Sequence, residues 1–419
     1  MSRLRIRNHG QVHAELQVQG SKNSSLPCLA AALLHPGTTV LDGVPMIEDV
    51  MVAVEILRAL GASVCVEGSR VIVCAHDITC TEIPVRFMRR MRSSVIFMGA
   101  LLARMHEAKA VYPGGCVIGR RPVDFHLSGF EQLGCLLNLQ GEEIQVQTAG
   151  MTGTVIRLPQ SSVGATENLL LAASGAEGIT VIENAAREPE VTELSRLLTR
   201  MGVDVRGAGT SRISIRGKSA TEDVYFILSG DRIVAGTWLL CCMNAGGTIR
   251  LERVPVQWMQ STLEVLRKMG ALIHAEGTAL ECTAPEKIEP AGYLETAPYP
   301  GFPTDMQSQL LPVLCRARGD SCICERVFSS RFRTAGELAR MGADITVSSD
   351  QTCARIRGNC RLHGAEVTAP DLRGGAALII AAMNAEGDTV IDDFYHIERG
   401  YERVTDMIRI LGGETCWIS

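Results

Sequence analysis

The stretch Leu338-Ala-Arg-Met-Gly342 runs directly into Ala343-Asp-Ile-Thr-Val, and this helix-to-strand junction decides the fold because it recurs along the chain. A glycine after the last helical residue is typical of a helix that ends in the left-handed conformation. The junction occurs six times, as Leu57-Arg-Ala-Leu-Gly61, Phe130-Glu-Gln-Leu-Gly134, Leu198-Thr-Arg-Met-Gly202, Leu266-Arg-Lys-Met-Gly270, Leu338-Ala-Arg-Met-Gly342 and Ile408-Arg-Ile-Leu-Gly412. A repeat of about 70 residues therefore indicates six copies of one structural unit.

A second helical segment lies upstream of each junction and is almost wholly small and apolar. The six segments are Leu26-Pro-Cys-Leu-Ala-Ala-Ala, Val95-Ile-Phe-Met-Gly-Ala-Leu, Leu169-Leu-Leu-Ala-Ala, Val234-Ala-Gly-Thr-Trp-Leu-Leu, Leu310-Leu-Pro-Val-Leu and Ala376-Ala-Leu-Ile-Ile-Ala-Ala. A helix that is apolar on all sides is buried. In five of the units a short strand led by glycine follows, such as Gly178-Ile-Thr-Val. These patterns predict α/β repeats whose apolar helices fill the middle and whose sheets face outward.

The composition is that of a globular protein. The chain has 419 residues, 46% hydrophobic and 21% charged, with a formal net charge of −5. That length favours two domains over one, and we expect three units in each. No basic stripe indicates nucleic-acid binding. Neither a secretion signal nor about 18 uninterrupted apolar residues occurs, so we expect a cytoplasmic protein without a membrane segment.

The cysteines point to neither a disulfide scaffold nor a metal site. Fifteen of them are scattered along the chain, so most are expected to be reduced core residues. Cys322 and Cys324 occupy alternate positions of a strand-like run, which places both thiols on one face. A zinc site needs a second ligand pair as well, and the sequence offers none, so no metal is predicted.

The most unusual segment is Val111-Tyr-Pro-Gly-Gly-Cys-Val-Ile-Gly-Arg-Arg-Pro-Val-Asp-Phe-His126. It stands where the other five units have their glycine-led strand. Its glycines and two arginines predict a flexible, locally positive loop around Cys116. Arginine beside a thiol lowers the thiol pKa and binds anions, as a reactive cysteine acting on a phosphate-bearing substrate requires. The alternative is a surface turn that contains a thiol.

Charged and polar residues also stand where three of the buried helices begin. Lys22 and Asn23 precede the first, at a helix N-terminus that can bind an anion. Thr304 and Asp305 stand at the cap of the fifth, although an Asp there is more often a structural cap than a base. Arg373, at the sixth, and Arg399 lie at edges of the last unit, where single arginines are usually surface charges.

Taken together, these motifs resemble one known family, the UDP-N-acetylglucosamine 1-carboxyvinyltransferases, from about residue 3 to residue 413. The motifs that carry the resemblance are Gly20-Ser-Lys-Asn, Met91-Arg-Ser-Ser, Pro113-Gly-Gly-Cys-Val-Ile-Gly-Arg-Arg-Pro-Val-Asp, Ser162-Val-Gly-Ala-Thr, Glu183-Asn-Ala-Ala-Arg-Glu-Pro-Glu, Pro300-Gly-Phe-Pro-Thr-Asp-Met-Gln, Ala369-Pro-Asp-Leu-Arg-Gly-Gly and Arg399-Gly-Tyr-Glu. The cysteine loop and the Pro-Thr-Asp-Met-Gln run are the most specific.

The resemblance implies a fold and a domain division. The fold is an α/β, two-domain inside-out α/β barrel built from six βαβαββ-like repeats. One domain would span residues 21–229 and carry the cysteine loop. The other would combine residues 1–20 with residues 230–419, because the first strand crosses over to join the C-terminal domain.

The resemblance also implies a reaction, the first committed step of peptidoglycan synthesis. The enolpyruvyl group of phosphoenolpyruvate moves to the 3′-hydroxyl of UDP-N-acetylglucosamine through a tetrahedral ketal that expels phosphate. The catalytic residues implied are Cys116, Asp305, Lys22, Arg121 and Arg399. Cys116 would be the acid and the site of a covalent adduct, while Asp305 would take the hydroxyl proton. The three cationic residues would hold the phosphate and carboxylate of the donor.

Further substrate-binding positions follow from the same resemblance. They are Lys22, Asn23, Arg92, Arg121, Pro122, Val123, Asp124, Phe125, Ser162, Val163, Gly164, Thr304, Asp305, Val327 and Arg373. Asn23 and Arg92 would orient the sugar and phosphates, and the segments 121–125 and 162–164 the uridine diphosphate. No cofactor or metal is called for, and we expect a monomer or a weak homo-oligomer.

The sequence departs from the family pattern at a few positions. Glu398 stands where Asp usually precedes Arg-Gly-Tyr, Ser329-Ser330 replaces Glu-Asn, and Arg120 adds a positive charge beside Arg121. Two alternatives stay open. One is the sibling enzyme that makes 5-enolpyruvylshikimate 3-phosphate, which uses no cysteine on this loop. The other is a catalytically quiet paralogue that binds the UDP-sugar.

Overall fold

The computed structural model describes residues 2–8, 10–114, 123–217 and 223–418. The six junction glycines, Gly61, Gly134, Gly202, Gly270, Gly342 and Gly412, all adopt the left-handed backbone conformation, with φ between 92° and 109°. Glycine adopts this conformation at little cost because it has no Cβ. The predicted repeat is therefore confirmed at the residue that defines it.

Fourteen α-helices lie within the described residues. In chain order they are α1 (Lys22–Ala31), α2 (Glu48–Ala59), α3 (Val85–Arg90), α4 (Phe97–Met105), α5 (Asp124–Gln132), α6 (Val163–Ala173), α7 (Pro189–Arg200), α8 (Arg232–Ala245), α9 (Gln260–Lys268), α10 (Thr304–Arg316), α11 (Arg333–Arg340), α12 (Leu372–Ala382), α13 (Tyr395–Glu398) and α14 (Val404–Ile410). None of these helices combines the length and the apolar run needed to cross a lipid bilayer.

The same residues form short strands in six sheets. In chain order the strands are β1 (Arg3–Asn8), β2 (Val12–Gln17), β3 (Thr38–Asp42), β4 (Ser63–Glu67), β5 (Arg70–Cys74), β6 (Glu107–Val111), β7 (Leu136–Gln140), β8 (Glu143–Gln147), β9 (Val155–Arg157), β10 (Ile179–Glu183), β11 (Asp204–Arg206), β12 (Arg212–Arg216), β13 (Val224–Ile227), β14 (Gly247–Glu252), β15 (Leu272–Glu276), β16 (Ala279–Thr283), β17 (Tyr293–Glu295), β18 (Ser321–Cys324), β19 (Ile345–Val347), β20 (Cys353–Ile356), β21 (Glu366–Thr368), β22 (Thr389–Asp392) and β23 (Gly413–Ile418).

One compact unit contains the described residues between Gly20 and Ser229. Its sheets have the strand orders β13-β3-β5-β4, β6-β8-β7 and β11-β12-β10-β9. The run β9, α6, β10, α7, β11, β12 shows one complete βαβαββ repeat, with β9 parallel and β12 antiparallel to β10. The apolar helices α1, α4 and α6 pack against one another in the core of this unit.

The other compact unit contains the described residues up to Gln19 and from Gly230 onward. Its sheets are β15-β16-β14-β2, β17-β18-β20-β19 and β21-β22-β1-β23. Both N-terminal strands are therefore part of this unit: β2 runs parallel to β14, and in β1 Leu4 lies opposite Ile391 and Trp417. The apolar helices α8, α10 and α12 form its core. With helices inside and sheets outside in six repeats, the predicted fold class is confirmed.

Two expectations about the chain were wrong. Cys324 and Cys353 form a disulfide between directly opposed positions of β18 and β20, with their Cα atoms 4.1 Å apart. Twelve cysteines of the described residues are free, but only six of them are buried, so reduced core residues are not the majority that was expected. The second repeat also keeps its own strand, β6, which ends at Val111, so the unusual segment does not replace that strand.

Candidate active site

Asp305 lies between two buried arginines at the start of α10. Its Oδ1 is 2.5 Å from Arg331 Nη2 and its Oδ2 is 3.2 Å from Arg373 Nη2. The side chains of Arg331 and Arg373 are 3% and 6% exposed, whereas that of Asp305 is 24% exposed. The two buried arginines thus hold the Asp305 carboxylate in place, and solvent still reaches it.

The expected capping role of Thr304 and Asp305 was wrong. The residue before the helix is Pro303, which makes no side-chain capping hydrogen bond, and Thr304 is the first helical residue. The Asp305 side chain contacts the guanidinium groups of Arg331 and Arg373. The alternative that Asp305 serves only as a helix cap is therefore excluded.

Arg373 follows the N-cap of α12 and is anchored by a buried polar cluster. Asp371 caps that helix by accepting hydrogen bonds from the N–H groups of Arg373 and Gly374. Arg373 Nη1 lies 3.4 Å from the hydroxyl of Tyr401, which lies 2.8 Å from Thr237 Oγ1. Burial opposes the charge, but Asp305, Tyr401 and Asp231 outweigh it, so the pKa of Arg373 is raised. Arg373 is a permanent cation beside Asp305.

Thr304 and Val327 are joined by Glu325, a residue that the sequence did not single out. Glu325 Oε2 accepts a hydrogen bond of 2.8 Å from Thr304 Oγ1, and Oε1 accepts one of 2.7 Å from Val327 N–H. The Glu325 carboxylate is 4% exposed and Val327 is 36% exposed. Two predicted acceptor-binding positions therefore meet at one buried carboxylate.

Arg399 lies directly after the short helix α13, at its C-terminal cap, and is half-buried. Two residues later, Tyr401 makes the hydroxyl contact with Arg373 described above. In this unit, contacts join Asp305 to both Arg331 and Arg373. Tyr401 contacts Arg373, and Arg399 precedes Tyr401 by two residues.

Lys22 and Asn23 begin α1 in the other unit. Ser21 is the N-cap, since its side chain accepts a hydrogen bond from Ser24 N–H. Lys22 Nζ lies 2.7 Å from Asp49 Oδ2, with the two side chains 12% and 6% exposed. The alternative of an exposed surface lysine is therefore wrong, because Lys22 is held at a helix N-terminus.

Asn23 contacts one member of a group of neighbouring acidic residues, Glu190. Asn23 Nδ2 donates a hydrogen bond of 3.3 Å to Glu190 Oε1. Nearby, burial raises the pKa of Glu167 well above its usual value, and the charges of Glu190 and Glu188 add to the effect. Burial and the neighbouring like charges therefore disfavour the ionised form of Glu167.

Gly164, one of the predicted diphosphate positions, lies beside His126, another residue that the sequence did not assign to the site. Ser162 caps α6, accepting a hydrogen bond of 3.4 Å from Ala165 N–H, and Val163 and Gly164 form the first turn. A Cβ on Gly164 would lie 3.5 Å from His126 Cε1. His126 itself is two residues into α5, after Asp124 and Phe125, while Val123 precedes that helix as a buried residue.

His126 is a neutral imidazole. Its Nδ1 lies 2.9 Å from the amide nitrogen of Asn168, which also donates to Val95 O at 2.9 Å. Because an amide nitrogen is a donor only, Nδ1 accepts and the ring proton is on Nε2. Burial, with the charge of Arg92 acting in the same direction, lowers the pKa of His126 to about 4. Arg92 and the starts of α5 and α6 thus share one neighbourhood.

Three predicted site residues, Cys116, Arg121 and Pro122, lie outside the described residues, as does Arg120. Among the described residues no group of three or more His, Cys, Asp or Glu side chains is arranged to hold a metal ion.

Comparison with known proteins identifies the family. The sequence profile of EPSP synthase (3-phosphoshikimate 1-carboxyvinyltransferase) matches residues 6–408. A UDP-N-acetylglucosamine 1-carboxyvinyltransferase 1 of Symbiobacterium thermophilum is 44% identical over 96% of this chain and 92% of its own. Further enzymes of that name, from Caldanaerobacter subterraneus and Myxococcus xanthus, are 40% and 39% identical over 99% of both chains. The chain belongs to the UDP-N-acetylglucosamine 1-carboxyvinyltransferase family.

Solved structures agree on the fold of this family. The enolpyruvyl transferase NikO from Streptomyces tendae has a TM-score of 0.90 and 23% identity, covering 99% of both chains. An EPSP synthase from Acinetobacter baumannii has a TM-score of 0.79 and 19% identity, covering 99% of this chain and 100% of its own. At these identities the likeness concerns the fold alone.

Proposed function

We propose that this member of the UDP-N-acetylglucosamine 1-carboxyvinyltransferase family transfers the enolpyruvyl group of phosphoenolpyruvate to the 3′-hydroxyl of UDP-N-acetylglucosamine and releases phosphate. The observation that carries the proposal is the Asp305 carboxylate, held between Arg331 and Arg373 at a solvent-reached helix start. A base for a hydroxyl proton needs such a fixed, accessible carboxylate.

The proton and bond changes balance as an addition followed by an elimination. Asp305 takes the hydroxyl proton as the sugar oxygen bonds to C2 of the donor, and Cys116 protonates the donor methylene. The resulting ketal then returns a methyl proton to the Cys116 thiolate and expels phosphate, which forms the enol ether of the product. Cys116 also forms a covalent adduct with the donor at C2 in this proposal.

The binding site for the donor needs positively charged side chains, because phosphoenolpyruvate carries a phosphate and a carboxylate. Lys22, Arg121 and Arg399 supply it in our proposal. The buried pairing of Lys22 with Asp49 supports this role, because it fixes the ammonium group before the anion arrives.

The acceptor is assigned to the remaining polar positions. Asn23 and Arg92 orient the sugar and phosphates, while the segments 121–125 and 162–164 hold the uridine diphosphate. Support comes from the helix starts of α5 and α6, because the N-terminus of a helix favours phosphate oxygens. Thr304, Val327 and Arg373 complete the acceptor contacts.

The proposal extends to the cell. Both substrates are highly charged, so we place the reaction in the cytoplasm as the first committed step of peptidoglycan synthesis. We also propose that the enzyme is a target of fosfomycin. The two compact units would be the two domains, divided at residues 20/21 and 229/230.

Phosphate release from phosphoenolpyruvate tests the proposal. We expect release with UDP-N-acetylglucosamine as acceptor, none with shikimate 3-phosphate, and a product heavier than the acceptor by one enolpyruvyl group in mass spectrometry. Release with shikimate 3-phosphate alone would assign the chain to the sibling reaction named by the matching profile. Binding of the UDP-sugar without any release would identify a quiet paralogue.

A further inference from the structure

The Glu325 carboxylate accepts four hydrogen bonds. Its Oε1 accepts from Thr296 Oγ1 at 2.8 Å, Val327 N–H at 2.7 Å and Phe328 N–H at 3.0 Å. Its Oε2 accepts from Thr304 Oγ1 at 2.8 Å. Four donors at one buried carboxylate satisfy nearly all of its acceptor capacity, so the group is fixed and so are its donors.

The donors belong to two separate segments that both lead to Asp305. Thr304 is the first residue of α10 and the direct neighbour of Asp305. Phe328 lies in the second segment and contacts Arg331. The centre of its ring is 5.2 Å from the Arg331 guanidinium carbon, and Arg331 in turn contacts Asp305. Contacts therefore close a ring through Glu325, Thr304, Asp305, Arg331 and Phe328.

Glu325 is itself held independently of that ring. It directly follows β18, and its N–H donates a hydrogen bond of 2.7 Å to Thr352 O. Thr296, the remaining donor, is fully buried and also accepts from Arg326 N–H at 2.9 Å. The Glu325 carboxylate thus fixes two segments, the start of α10 and residues 327–331, relative to the end of β18. These two segments are not joined to each other by a shared helix or strand pairing.

We propose that Glu325 is a positioning residue for the transfer reaction. It locks the first turn of α10 to the segment Val327–Arg331, so that Asp305 and Val327 keep their places for the acceptor. The inference rests on the proposed function, since it concerns the acceptor of that reaction. Glu325 touches neither substrate in this role and acts only through Thr304, Val327 and Phe328.

Three variants of Glu325 separate positioning from simple structural support. In Glu325→Gln the carbonyl oxygen keeps the three donors at Oε1, and the Thr304 hydroxyl turns to accept from the new amide. Glu325→Ala leaves all four donors without an acceptor. Glu325→Asp keeps the charge but is one methylene shorter, so its carboxylate cannot reach Val327 N–H and Thr304 together. If the alanine variant does not fold, the aspartate variant tests the same loss of contacts.

The matched control is Glu107→Ala in the other unit. Glu107 also binds four side chains, Thr81, Gln145, Gln147 and Lys109, through its carboxylate, and none of them is a candidate site residue. The Glu107→Ala variant shows how much the kinetic constants change when a carboxylate with several hydrogen bonds is lost and its partners are not candidate site residues. Any such change reflects stability alone.

Steady-state kinetics per folded molecule are the readout. For Glu325→Ala and Glu325→Asp we expect the KM for UDP-N-acetylglucosamine to rise about tenfold or more and kcat to fall, with the KM for phosphoenolpyruvate within about threefold of wild type. Glu325→Gln and Glu107→Ala should stay within about threefold in every constant. Wild-type kinetics in the alanine and aspartate variants, or a glutamine variant as impaired as alanine, would overturn the inference. Absence of transfer by the wild-type protein would instead overturn the proposed function.

Discussion

Asp305 Oδ1 lies 2.5 Å from Arg331 Nη2, a contact between a half-buried carboxylate and a guanidinium group that is almost completely buried. The two residues are 26 positions apart in the chain, and Arg373, on the other carboxylate oxygen, is 68 positions from Asp305. The pairing keeps both oxygens in fixed directions. The Asp305 side chain is 24% exposed, so solvent still reaches the carboxylate.

Asp305→Asn should abolish most of the activity while leaving the fold intact. The amide has the same shape but cannot take a proton, so kcat should fall by about 10²–10⁴-fold with the KM for the UDP-sugar little changed. Stopped assays with purified protein and a thermal unfolding curve measure both effects. Asp344→Asn is the control, because Asp344 pairs with Arg357 on the surface of the same unit. Normal turnover in Asp305→Asn would remove Asp305 from the mechanism.

Gly164→Ala should separate acceptor binding from stability. Its Cβ would make an ordinary contact of 3.5 Å with His126, and alanine favours a helix over glycine by about 0.5–1 kcal/mol. We expect an unchanged or higher melting temperature together with a raised KM for the UDP-sugar, since the new methyl group stands at the proposed diphosphate site. In contrast, Gly129→Ala should unfold more easily, because its Cβ would lie 2.3 Å from the Leu169 side chain. Unchanged acceptor kinetics in Gly164→Ala would place the diphosphate elsewhere.

His126 should make the folded protein sensitive to mild acid. Its pKa is lowered to about 4 in the folded protein by burial and by Arg92, against about 6.5 in an unfolded chain. A lowered histidine pKa contributes stability that is complete above pH 6.5 and is lost as pH falls toward 4, by up to about 1.4 kcal/mol per pH unit.

Comparison of wild type with His126→Gln isolates this contribution from that of all other groups. The difference in unfolding free energy between the two proteins should be constant from pH 7 to 8 and should shift against wild type below about pH 6.5. Chemical denaturation at each pH measures it. A difference that does not vary with pH would mean that the imidazole titrates normally.

Cys116 should be labelled selectively by fosfomycin, an epoxide that resembles the donor. Glycines and arginines flank it, so it is expected to carry a reactive thiolate. Cys65 and Cys416 are exposed and serve as internal comparisons in a peptide-level mass spectrum. Labelling of these two to the same extent as Cys116 would count against a special reactivity.

Cys116→Asp should retain measurable transfer and lose sensitivity to fosfomycin, because a carboxylic acid supplies the same proton without a soft nucleophile. Cys116→Ser should be nearly inactive, since a hydroxyl is a much weaker acid than either group. Equal activity of the serine and aspartate variants would show that Cys116 is not the acid.

The sequence by itself determined the repeat and the chemistry-bearing types of residue. Gly61, Gly202 and the other junction glycines are local signals, because a helix end in the left-handed conformation selects glycine through its own backbone. The buried helices were equally local, since an all-apolar helix has no face for water. Lys22 and Asp305 were predicted as site residues from their motifs, and their catalytic roles stay predictions.

Only the tertiary structure decided which side chains meet. Arg331, Glu325 and His126 carry no sequence signal that separates them from surface or core residues, and each has at least one partner that is distant in the chain. The pairing of Leu4 with Ile391 and the Cys324–Cys353 disulfide likewise join positions that no local pattern connects. Helix ends and apolar periodicity depend on neighbours in the chain, whereas these contacts depend on how β18, α10 and α12 pack, which is fixed by burial over the whole unit.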